Sequence, residues 1–411
     1  MTRTPRRGRG VASAAACAAL AVLCFSSAPA LRASNEVRAL WVVRTTLTSP
    51  AAVDAMVKTA RASGFNTLLV QVRGRGDSYF AGGIDPRPVA LVDASFDPLA
   101  LTIARAHESG LGVHAWINVN LASSASELPE SREHVIYRHP EWLMVPRALG
   151  QPLARMDPRS PEYLGRLSRY VRGQSATLEG LYVSPMSAAA IDYTTGVVRD
   201  IVQRYDIDGV HLDYVRYPGE DFDYSRDALT AFRRSVLPDL SSTARVTLDA
   251  ELDRDALIYT KTFPERWHTF RAAQLTRLVE QLRDTVKRAK PSVLLSAAVG
   301  PDSVEAGSRF MQDWRDWIRR DLLDIVCPMA YTTDAKLFAS QIAADYAIAG
   351  PHAVWAGIGA YRLSPAEIAD NVTAARGVGV SGIILFSYDS LTTPARGPEF
   401  LSQVGRTLFV Q

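Results

Sequence analysis

Short runs of apolar, largely β-branched residues alternate along this chain with longer segments of helical periodicity. A strand that is buried on both faces is apolar almost throughout, so this alternation is typical of parallel strands joined by helices. The predicted strands are Val37–Val43, Thr67–Arg73, Gly112–Asn118, Gly209–Arg216, Val293–Val299, Asp324–Ala330, Ala353–Ile358 and Gly382–Ser387. Eight such units predict an α/β fold with a single closed (β/α)8 barrel.

Amphipathic helices fill the intervals between these strands. Ser49-Pro50 and Ser364-Pro365 each place a capping hydroxyl before a proline that suits the first helical turn. Gly64, Gly110 and Gly377 suit helix ends that need a left-handed residue. The predicted helices are Pro50–Ser63, Pro98–Ser109, Met186–Tyr205, Arg266–Ala289, Phe338–Ala349 and Pro365–Arg376.

Two connections are much longer than the usual loop between a strand and its helix. Residues 121–185 follow the third predicted strand, and residues 218–264 follow the fourth. Both connections leave the carboxyl end of a strand, which is the face on which barrel enzymes carry their active sites. We therefore expect these long loops to shape a substrate cleft.

The N-terminus has the three-part pattern of an export signal. Arg3 to Arg9 is basic, an apolar run follows from Val11 to Phe25, and Ala28-Pro29-Ala30 is a small-x-small cleavage sequence. We predict a signal peptide over residues 1–30, a barrel domain over residues 31–411, and a secreted, periplasmic or cell-envelope location. The apolar run is short for a bilayer span, so no stable span is expected in the mature chain. The alternatives are a retained N-terminal anchor and a lipid attached at Cys24.

The formal net charge of +3 is concentrated in this predicted signal. No acidic residue balances its arginines, so the rest of the chain is close to neutral and no nucleic-acid partner is expected. Removal of the signal would leave Cys327 without another cysteine, which excludes an internal disulfide. The apolar neighbours of Cys327 predict a packed thiol rather than a nucleophile.

The fourth predicted strand contains polar residues that a doubly buried strand would ordinarily exclude, namely His211, Asp213 and Arg216. Burial of an unpaired carboxylate is costly, so Asp213 must have partners or open into a site. It lies near the carboxyl end of the strand, and Arg216 is its expected ion-pair partner. We predict that Asp213 is catalytic, and a buried structural pair is the alternative interpretation.

Polar and aromatic residues also follow other predicted strands. Trp and Tyr rings can stack on sugar faces while their polar edges bind hydroxyl groups, and core packing is the alternative for each ring. The predicted substrate-binding residues are Arg73, His114, Trp116, Asn118, His211, Arg216, Tyr331, Tyr361 and Tyr388.

We expect no cofactor and no metal. His114 and His211 lie on separate strands near an aspartate, but no His-x-His or paired-cysteine spacing supports a metal site. Gly74-Arg75-Gly76 lacks the Lys-Ser/Thr of a phosphate loop. The absence of a Gly-x-Ser-x-Gly elbow argues against a serine hydrolase.

Several long motifs, in order, resemble the glycosyl hydrolase-like family 10. They are Arg38–Val43, Val70–Asp77, Val113–Asn118, Asp208–Pro218, Gln312–Trp314, Cys327–Tyr331 and Leu385–Tyr388, and the resemblance runs from about Glu36 to Leu391. It implies a TIM-barrel glycosidase outside the cytoplasm. One branch of that family acts on peptidoglycan glycan strands stripped of peptides.

The fourth strand is also similar to that of the chitinases of glycoside hydrolase family 18, which reads Asp-Gly-x-Asp-x-Asp-x-Glu. Here His211 replaces the middle aspartate, and Val215 occupies the position of the catalytic glutamate. The similarity implies that Asp213 orients an acetamido group of the substrate and that Tyr331, in Met329-Ala330-Tyr331, assists it. Another residue must then donate the proton.

These features predict an exported glycosidase acting on a polysaccharide, either peptidoglycan glycan strands or another cell-envelope glycan. Glycoside hydrolysis generally needs two carboxyl groups. Asp213 is the first, and the predicted partners are Asp77 or Asp389, with Glu220 and Glu251 in the long loop as further choices. The alternatives are a non-catalytic glycan-binding barrel, which the absence of the glutamate at Val215 favours, and a metal-assisted deacetylase.

Overall fold

The computed structural model describes residues 36–92, 95–350 and 352–409. The predicted signal peptide, residues 1–30, lies outside these ranges. Eight parallel strands close into a barrel in which each strand pairs with its sequence neighbours and the last pairs with the first. They are β1 Val37–Val42, β2 Thr67–Arg73, β3 Gly112–Asn118, β4 Gly209–Asp213, β5 Leu294–Val299, β6 Ile325–Ala330, β7 Ala353–Ile358 and β8 Gly382–Phe386. The prediction of a (β/α)8 barrel is confirmed.

Helices surround the barrel and also occupy the two long loops. They are α1 Pro50–Ala62, α2 Pro98–Glu108, α3 Val135–Arg138, α4 Arg147–Leu153, α5 Pro161–Gly173, α6 Ala188–Arg204, α7 Arg226–Val236, α8 Ser242–Glu251, α9 Ile258–Thr262, α10 Pro264–Ala289, α11 Ser303–Phe310, α12 Trp314–Arg319, α13 Ala335–Ala349, α14 Pro365–Val378, α15 Tyr388–Leu391 and α16 Phe400–Phe409. Short 3-10 helices cover Arg44–Thr48, Val89–Leu91, Pro140–Trp142, Leu237–Asp239 and Ala360–Arg362. Among the helices of the described ranges, none is both long enough and apolar enough to cross a membrane.

Local sequence signals account for most helix boundaries. Ser49 accepts a hydrogen bond from the Ala52 N–H at the start of α1, and Ser364 forms a capping box with Glu367 at the start of α14. The prediction that Gly377 ends α14 is wrong. The helix continues to Val378, and Gly379 takes the left-handed conformation with φ +99°.

The fourth strand is shorter than predicted. It ends at Asp213 and not at Arg216, because Tyr214 adopts a left-handed backbone with φ +50° that interrupts the extended conformation. Val215 is fully buried in the hydrophobic core between the barrel and its helices.

The barrel interior is filled by large side chains that point inward from alternate positions of the strands. Trp41, Trp116 and Trp355 pack there with aliphatic residues and with Cys327. The thiol is completely buried, and burial raises its pKa well above the usual value, so the prediction of a packed thiol is confirmed.

The two long loops pack on each other above the carboxyl end of the barrel. Asp223 Oδ1 accepts hydrogen bonds from the backbone N–H groups of Val145, at 2.8 Å, and Ser225, at 2.7 Å. The Tyr224 N–H donates to the Val145 carbonyl at 2.7 Å. These bonds join the loop after β3 to the loop after β4, so the two form one wall of the structure above the strands.

Asp345 is a buried carboxyl group on α13 without a hydrogen-bond partner. Both of its oxygens are inaccessible and unpaired in the described structure, as is Oε1 of Gln341 one turn earlier. Burial, with a smaller contribution from the charge of Asp302, raises the pKa of Asp345 from 3.8 to about 8. The folded protein therefore holds a proton on Asp345 at neutral pH.

This raised pKa predicts a pH-dependent stability that Asp345→Asn should remove. Between about pH 4 and pH 8 the folded state retains the Asp345 proton while the unfolded state releases it, so rising pH favours unfolding. We expect Asp345→Asn to match the wild type near pH 4 and to be more stable by about 4 to 6 kcal/mol at pH 8, since each unit of pKa difference corresponds to about 1.4 kcal/mol. Chemical denaturation across this pH range measures the difference.

Asp370→Asn is the matched control, because Asp370 is an exposed aspartate on the neighbouring helix α14. Its difference from the wild type should be small and independent of pH. A stability gap for Asp345→Asn that stays constant between pH 4 and pH 8 would contradict the assignment.

Candidate active site

A cleft of about 540 Å³ opens at the carboxyl ends of the strands. Strands β1 to β6 and β8, with the loops that follow them, contribute to its lining. The floor is aromatic, and four carboxyl groups and four guanidinium groups surround it. The charged and aromatic lining residues are Trp41, Arg44, Arg75, Trp116, Glu179, Asp213, Tyr214, Arg216, Asp302, Glu305, Arg309, Phe310, Tyr331 and Phe386.

Asp213 is part of this lining at the end of β4 and is 6% exposed. Its Oδ1 accepts the Tyr214 N–H at 2.7 Å, and its Oδ2 accepts the Trp116 indole N–H at 3.1 Å. The left-handed backbone of Tyr214 costs about 1 to 3 kcal/mol, and it lies directly beside the carboxylate. Sequence patterns gave no sign of this strained residue.

The pKa of Asp213 is raised because burial penalises the charged carboxylate. The charge of Arg216 and the two N–H donors act in the opposite direction, whereas the charge of Glu179 raises the pKa further. Burial prevails, so Asp213 retains its proton to a higher pH than an exposed aspartate. A carboxyl group of this kind is suited to donate a proton and then to be stabilised as an anion.

A chain of hydrogen bonds crosses the first four strands beneath the cleft. Arg44 Nη1 donates to Gln71 Oε1 at 2.9 Å, and Gln71 Nε2 donates to Asn118 Oδ1 at 3.3 Å. The Trp116 indole N–H lies 3.0 Å from the same Asn118 oxygen and so is shared between Asn118 and Asp213. The Asn118 amide also donates to the Gly74 carbonyl at 2.7 Å. These bonds fix the orientation of Asn118 and of the indole that holds Asp213.

Arg216 forms its direct ion pair with Glu179, whose Oε1 lies 3.5 Å from Arg216 Nη2. The expected direct pair with Asp213 is therefore corrected, because Arg216 acts on Asp213 only through space. The buried Tyr182 hydroxyl donates to Glu179 Oε2 at 2.9 Å, and the Arg216 guanidinium lies 4.3 Å from the centre of the Tyr214 ring.

Glu179 is one of the charged cleft residues that sequence reasoning missed, with Arg44, Arg75, Asp302, Glu305 and Arg309. It lies at the end of the long loop after β3, where antiparallel bridges Leu121–Tyr182 and Leu143–Val183 bring the chain back over the barrel. Its side chain is 42% exposed, and its location in that loop was the available signal. No strand or motif distinguished it from the other acidic residues of the loop.

Tyr331 presents a free hydroxyl to the cleft, since within the described ranges this hydroxyl makes no hydrogen bond. Its ring packs edge-on against Trp41, with 6.2 Å between centroids, and beside Phe386 at 5.5 Å. Burial, followed by the charge of Asp213, raises the pKa of Tyr331 well above its usual value. The phenol is therefore neutral and able to donate a hydrogen bond to a ligand.

The structure brings five of the predicted site residues together in this cleft: Trp116, Asn118, Asp213, Arg216 and Tyr331. The seven other predicted site residues lie outside the lining of the cleft. They are Arg73, Asp77, His114, His211, Tyr361, Tyr388 and Asp389.

The two histidines belong to the barrel interior. His211 Nε2 accepts the Trp41 indole N–H at 3.0 Å, so its Nδ1 carries the proton and donates to Ser296 Oγ at 2.9 Å. Burial lowers the pKa of His211 to about 3 and that of His114 to about 4. The His114 ring packs against Trp355 with 5.2 Å between centroids. Both are neutral packing residues beneath the cleft and lie outside its lining, so the prediction that they bind substrate is corrected.

Arg73 is 1% exposed and holds loops in place. Its Nε donates to Asp85 Oδ2 at 2.6 Å, and its Nη1 donates to the Asn118 carbonyl at 2.6 Å. Nε and Nη1 of the guanidinium are thus held within the fold, as a buried cation requires a counter-ion and acceptors. It therefore orients the end of β3 and does not face a ligand.

The predicted partner carboxylates, Asp77 and Asp389, are both engaged with the backbone. Asp77 Oδ1 accepts the N–H groups of Gly74 and Arg75, each at 2.9 Å. Asp389 Oδ2 accepts the Val43 N–H at 2.7 Å, and its Oδ1 accepts the Thr46 hydroxyl. Neither lines the cleft, and neither do Glu220 and Glu251 of the long loop.

The two remaining tyrosines lie beside the cleft. Tyr361 packs against the rings of Tyr331 and Phe386, with centroid distances of 6.3 and 6.1 Å, and is 36% exposed. Tyr388 is nearly buried and hydrogen-bonds Thr59 on α1. The core-packing alternative therefore fits Tyr388.

Comparison with known proteins supports the motif resemblance. The sequence model of the family described as glycosyl hydrolase-like 10 matches residues 168–367. Glycosyl hydrolase YngK of Bacillus subtilis (strain 168) is 24% identical over 294 residues, which are 65% of this chain and 46% of that protein. Glycosyl hydrolase DigH of Escherichia coli (strain K12) is 24% identical over 300 residues, 65% of this chain and 55% of that protein. The predicted resemblance is confirmed, although the matched family range begins after β3, and the chain spans about half the length of these curated relatives.

Solved structures show the same fold. The glycoside hydrolase domain of PgaB (BpsB) from Bordetella bronchiseptica aligns with a TM-score of 0.63 at 14% identity, over 92% of this chain and 99% of that chain. The catalytic domain of beta-amylase from Paenibacillus polymyxa aligns with a TM-score of 0.58 at 12% identity, over 92% and 98% of the two chains. Likeness at these identities establishes the barrel architecture.

The shared indole hydrogen bond gives a prediction for Trp116→Phe. Loss of the N–H removes a donor that stabilises the Asp213 carboxylate, so the pKa of Asp213 should move further upward. The unfolding free energy should fall by about 1 to 3 kcal/mol because two buried oxygens lose a donor. Carbon-13 NMR of aspartate carboxyl groups and chemical denaturation measure the two effects.

Trp355→Phe serves as the control, since Trp355 is another indole of the barrel interior and packs against His114. It should leave the titration of Asp213 unchanged. Equal pKa shifts in both variants would show that general repacking, and not the hydrogen bond, controls Asp213.

Proposed function

We propose that this protein is a glycoside hydrolase that cleaves glycosidic bonds in a polysaccharide, with Asp213 as its central catalytic group. The observation that carries the proposal is the buried carboxyl group of Asp213, with its raised pKa, in the aromatic-floored cleft at the carboxyl end of the barrel. The similarity to the glycosyl hydrolase-like 10 family and to two relatives named as glycosyl hydrolases supports this proposal.

In the proposed mechanism Asp213 is the general acid. It holds its proton at a higher pH than an exposed aspartate and gives it to the leaving oxygen as the glycosidic bond breaks. The N–H groups of Tyr214 and Trp116 then stabilise the carboxylate that remains. Because these donors are already positioned, no reorganisation is needed during the reaction.

Glu179 is the proposed second carboxyl group. It lines the same cleft, its charge contributes to the raised pKa of Asp213, and its Oε1 lies 3.5 Å from Arg216 Nη2. A partly exposed carboxylate can activate a water molecule or meet the oxocarbenium-like charge of the transition state. Activity should decline at high pH as Asp213 loses the proton that its raised pKa retains.

Tyr331 is proposed to bind the substrate beside Asp213. Its hydroxyl is free and neutral, and it can donate to a hydroxyl or acetamido oxygen of a sugar. This placement agrees with the role implied by the similarity of Met329-Ala330-Tyr331 to the chitinase motif. The position of the chitinase proton donor is taken by the buried Val215, so the donor in this protein must come from elsewhere.

We further propose that the substrate is a cell-envelope glycan, such as peptidoglycan glycan strands, and that the protein is exported. The family resemblance supports the substrate class, and the basic and apolar N-terminal pattern supports export. A non-catalytic glycan-binding barrel is the second candidate, and the buried Val215 at the position of a catalytic glutamate is the observation that favours it.

A cleavage assay with two acidic-site variants tests the catalytic proposal. The purified chain is incubated with peptide-free peptidoglycan strands, chitin oligomers, and neutral α- and β-glucans, and the products are identified by mass spectrometry. We expect cleavage of a glycan by the wild type and a loss of about 10²- to 10⁴-fold in kcat/KM for Asp213→Asn and for Glu179→Gln.

Glu251→Gln is the matched control, because Glu251 lies on α8 away from the cleft and pairs with Arg254. It should retain full activity. Wild-type activity that survives Asp213→Asn would contradict the assignment of the general acid. Binding of a glycan without any cleavage would instead support the glycan-binding barrel.

A further inference from the structure

The four arginines of the cleft differ in whether they form an ion pair. Three of the four lie within ion-pair distance of a carboxylate: Arg44 with Asp77 at 3.6 Å, Arg216 with Glu179 at 3.5 Å and Arg309 with Glu305 at 3.0 Å. Arg75 also lines the cleft, yet its guanidinium has no ion pair and no hydrogen bond within residues 36–92, 95–350 and 352–409.

The base of the Arg75 side chain is nevertheless held firmly. Its backbone N–H donates to Asp77 Oδ1 at 2.9 Å, and its carbonyl accepts a hydrogen bond from His134 Nε2 at 2.7 Å. A rigid backbone that carries an unengaged guanidinium is the arrangement expected of a ligand-binding arginine, since little conformational entropy of the main chain is lost on binding.

The surroundings of Arg75 leave its positive charge incompletely compensated. Burial lowers the pKa of Arg75, and the like charge of Arg44 lowers it further. A partly buried cation beside a second cation is unfavourable without a counter-ion. Asp77 and Glu127 act on Arg75 only through space, and Asp77 is already used by Arg44 and by two backbone N–H groups.

Arg75 and Arg44 stand at one end of the cleft. Both also line an adjoining hollow of about 250 Å³, which residues 123–134 of the long loop enclose from the other side. A glycan in the cleft could therefore place a substituent against these two guanidinium groups while its sugar rings remain over the aromatic floor.

We propose that Arg75, together with Arg44, forms a subsite for a carboxylate substituent of the glycan, so that the polysaccharide cleaved by this protein is acidic. The inference rests on the proposed function for the nature of the ligand in the cleft. Guanidinium donors match the planar geometry of a carboxylate and bind it through charge-assisted hydrogen bonds. Asp77 and Glu127 keep the local positive charge small, which favours a singly charged carboxylate over a doubly charged phosphate.

The test measures binding separately from cleavage. Asp213→Asn protein is titrated calorimetrically with peptide-free peptidoglycan oligosaccharides whose carboxylates are free, and with the same oligosaccharides after amidation of those carboxylates. When Arg75→Met is added to the Asp213→Asn protein, binding of the carboxylate form should weaken by about ten- to a hundredfold, because one or two charge-assisted hydrogen bonds are lost. Binding of the amidated form should change by less than about twofold, since it has no charge to lose.

Two further variants control for loss of charge and for loss of fold. Arg277→Met removes an exposed arginine that hydrogen-bonds Gln274 of its own helix, away from the cleft, so it should preserve the preference for the carboxylate form. Arg75→Lys retains the charge without the planar fork and should restore part of the preference. Thermal unfolding of each variant identifies any that fails to fold.

The inference is overturned if the parent protein binds the carboxylate and amidated forms equally, or if Arg75→Met weakens both forms to the same extent. Tighter binding of sulfated chitin oligosaccharides than of the carboxylate form would also overturn it. Glycan cleavage that does not depend on the carboxylate would support the proposed function and contradict the subsite. An Arg75-dependent preference for the carboxylate form without any cleavage would support the subsite and contradict the proposed function.

Discussion

Tryptophan side chains pack the interior of this barrel, and polar acceptors on β3 and β4 hold two of their indole N–H groups. A closed barrel of eight strands has no central pore, so side chains from all strands must fill it. Trp41 finds its acceptor in His211, and Trp116 finds its acceptors in Asn118 and Asp213. An indole that lost its partner would leave a polar group unsatisfied at a cost of about 1 to 3 kcal/mol. His211, Asn118 and Asp213 thus serve the packing of these two indoles as well as any chemistry.

This constraint links the stability of the barrel to the chemistry of its upper end. The indole that fills the interior also holds the Asp213 carboxyl group, and the left-handed Tyr214 supplies a second donor to the same group. A strained backbone conformation such as that of Tyr214 persists only where the surrounding contacts hold it in place, and such residues are concentrated at functional sites. The loops add further charge, since Glu179 comes from the connection after β3 and pairs with Arg216 in the loop after β4. Arg75 is the cleft arginine that the described structure leaves without such a pair.

Residue patterns along the chain were sufficient to predict the barrel and the position of Asp213. All eight strands were predicted to within a few residues, because parallel strands buried on both faces are apolar over their whole length. A carboxylate within such a strand is conspicuous, since its burial must be compensated. The same reasoning overstated His211 and Arg73. Their acceptors and counter-ions, Trp41, Ser296 and Asp85, are distant in sequence, so the chain alone could not show that these polar groups are fully satisfied.

The sequence by itself determined the architecture, the face that carries the cleft and the carboxyl group at the end of β4. These features follow from short-range periodicity and from the energetic cost of an isolated buried charge. Both signals can be recognised within a single strand or helix, without knowledge of its neighbours. Only the tertiary structure decided the partners of that carboxyl group. Glu179 reaches the cleft because the loop after β3 folds back over the barrel, whereas Asp77 and Asp389 turn toward backbone N–H groups. A carboxylate's role depends on which donors and charges surround it, and those neighbours come from different strands and loops.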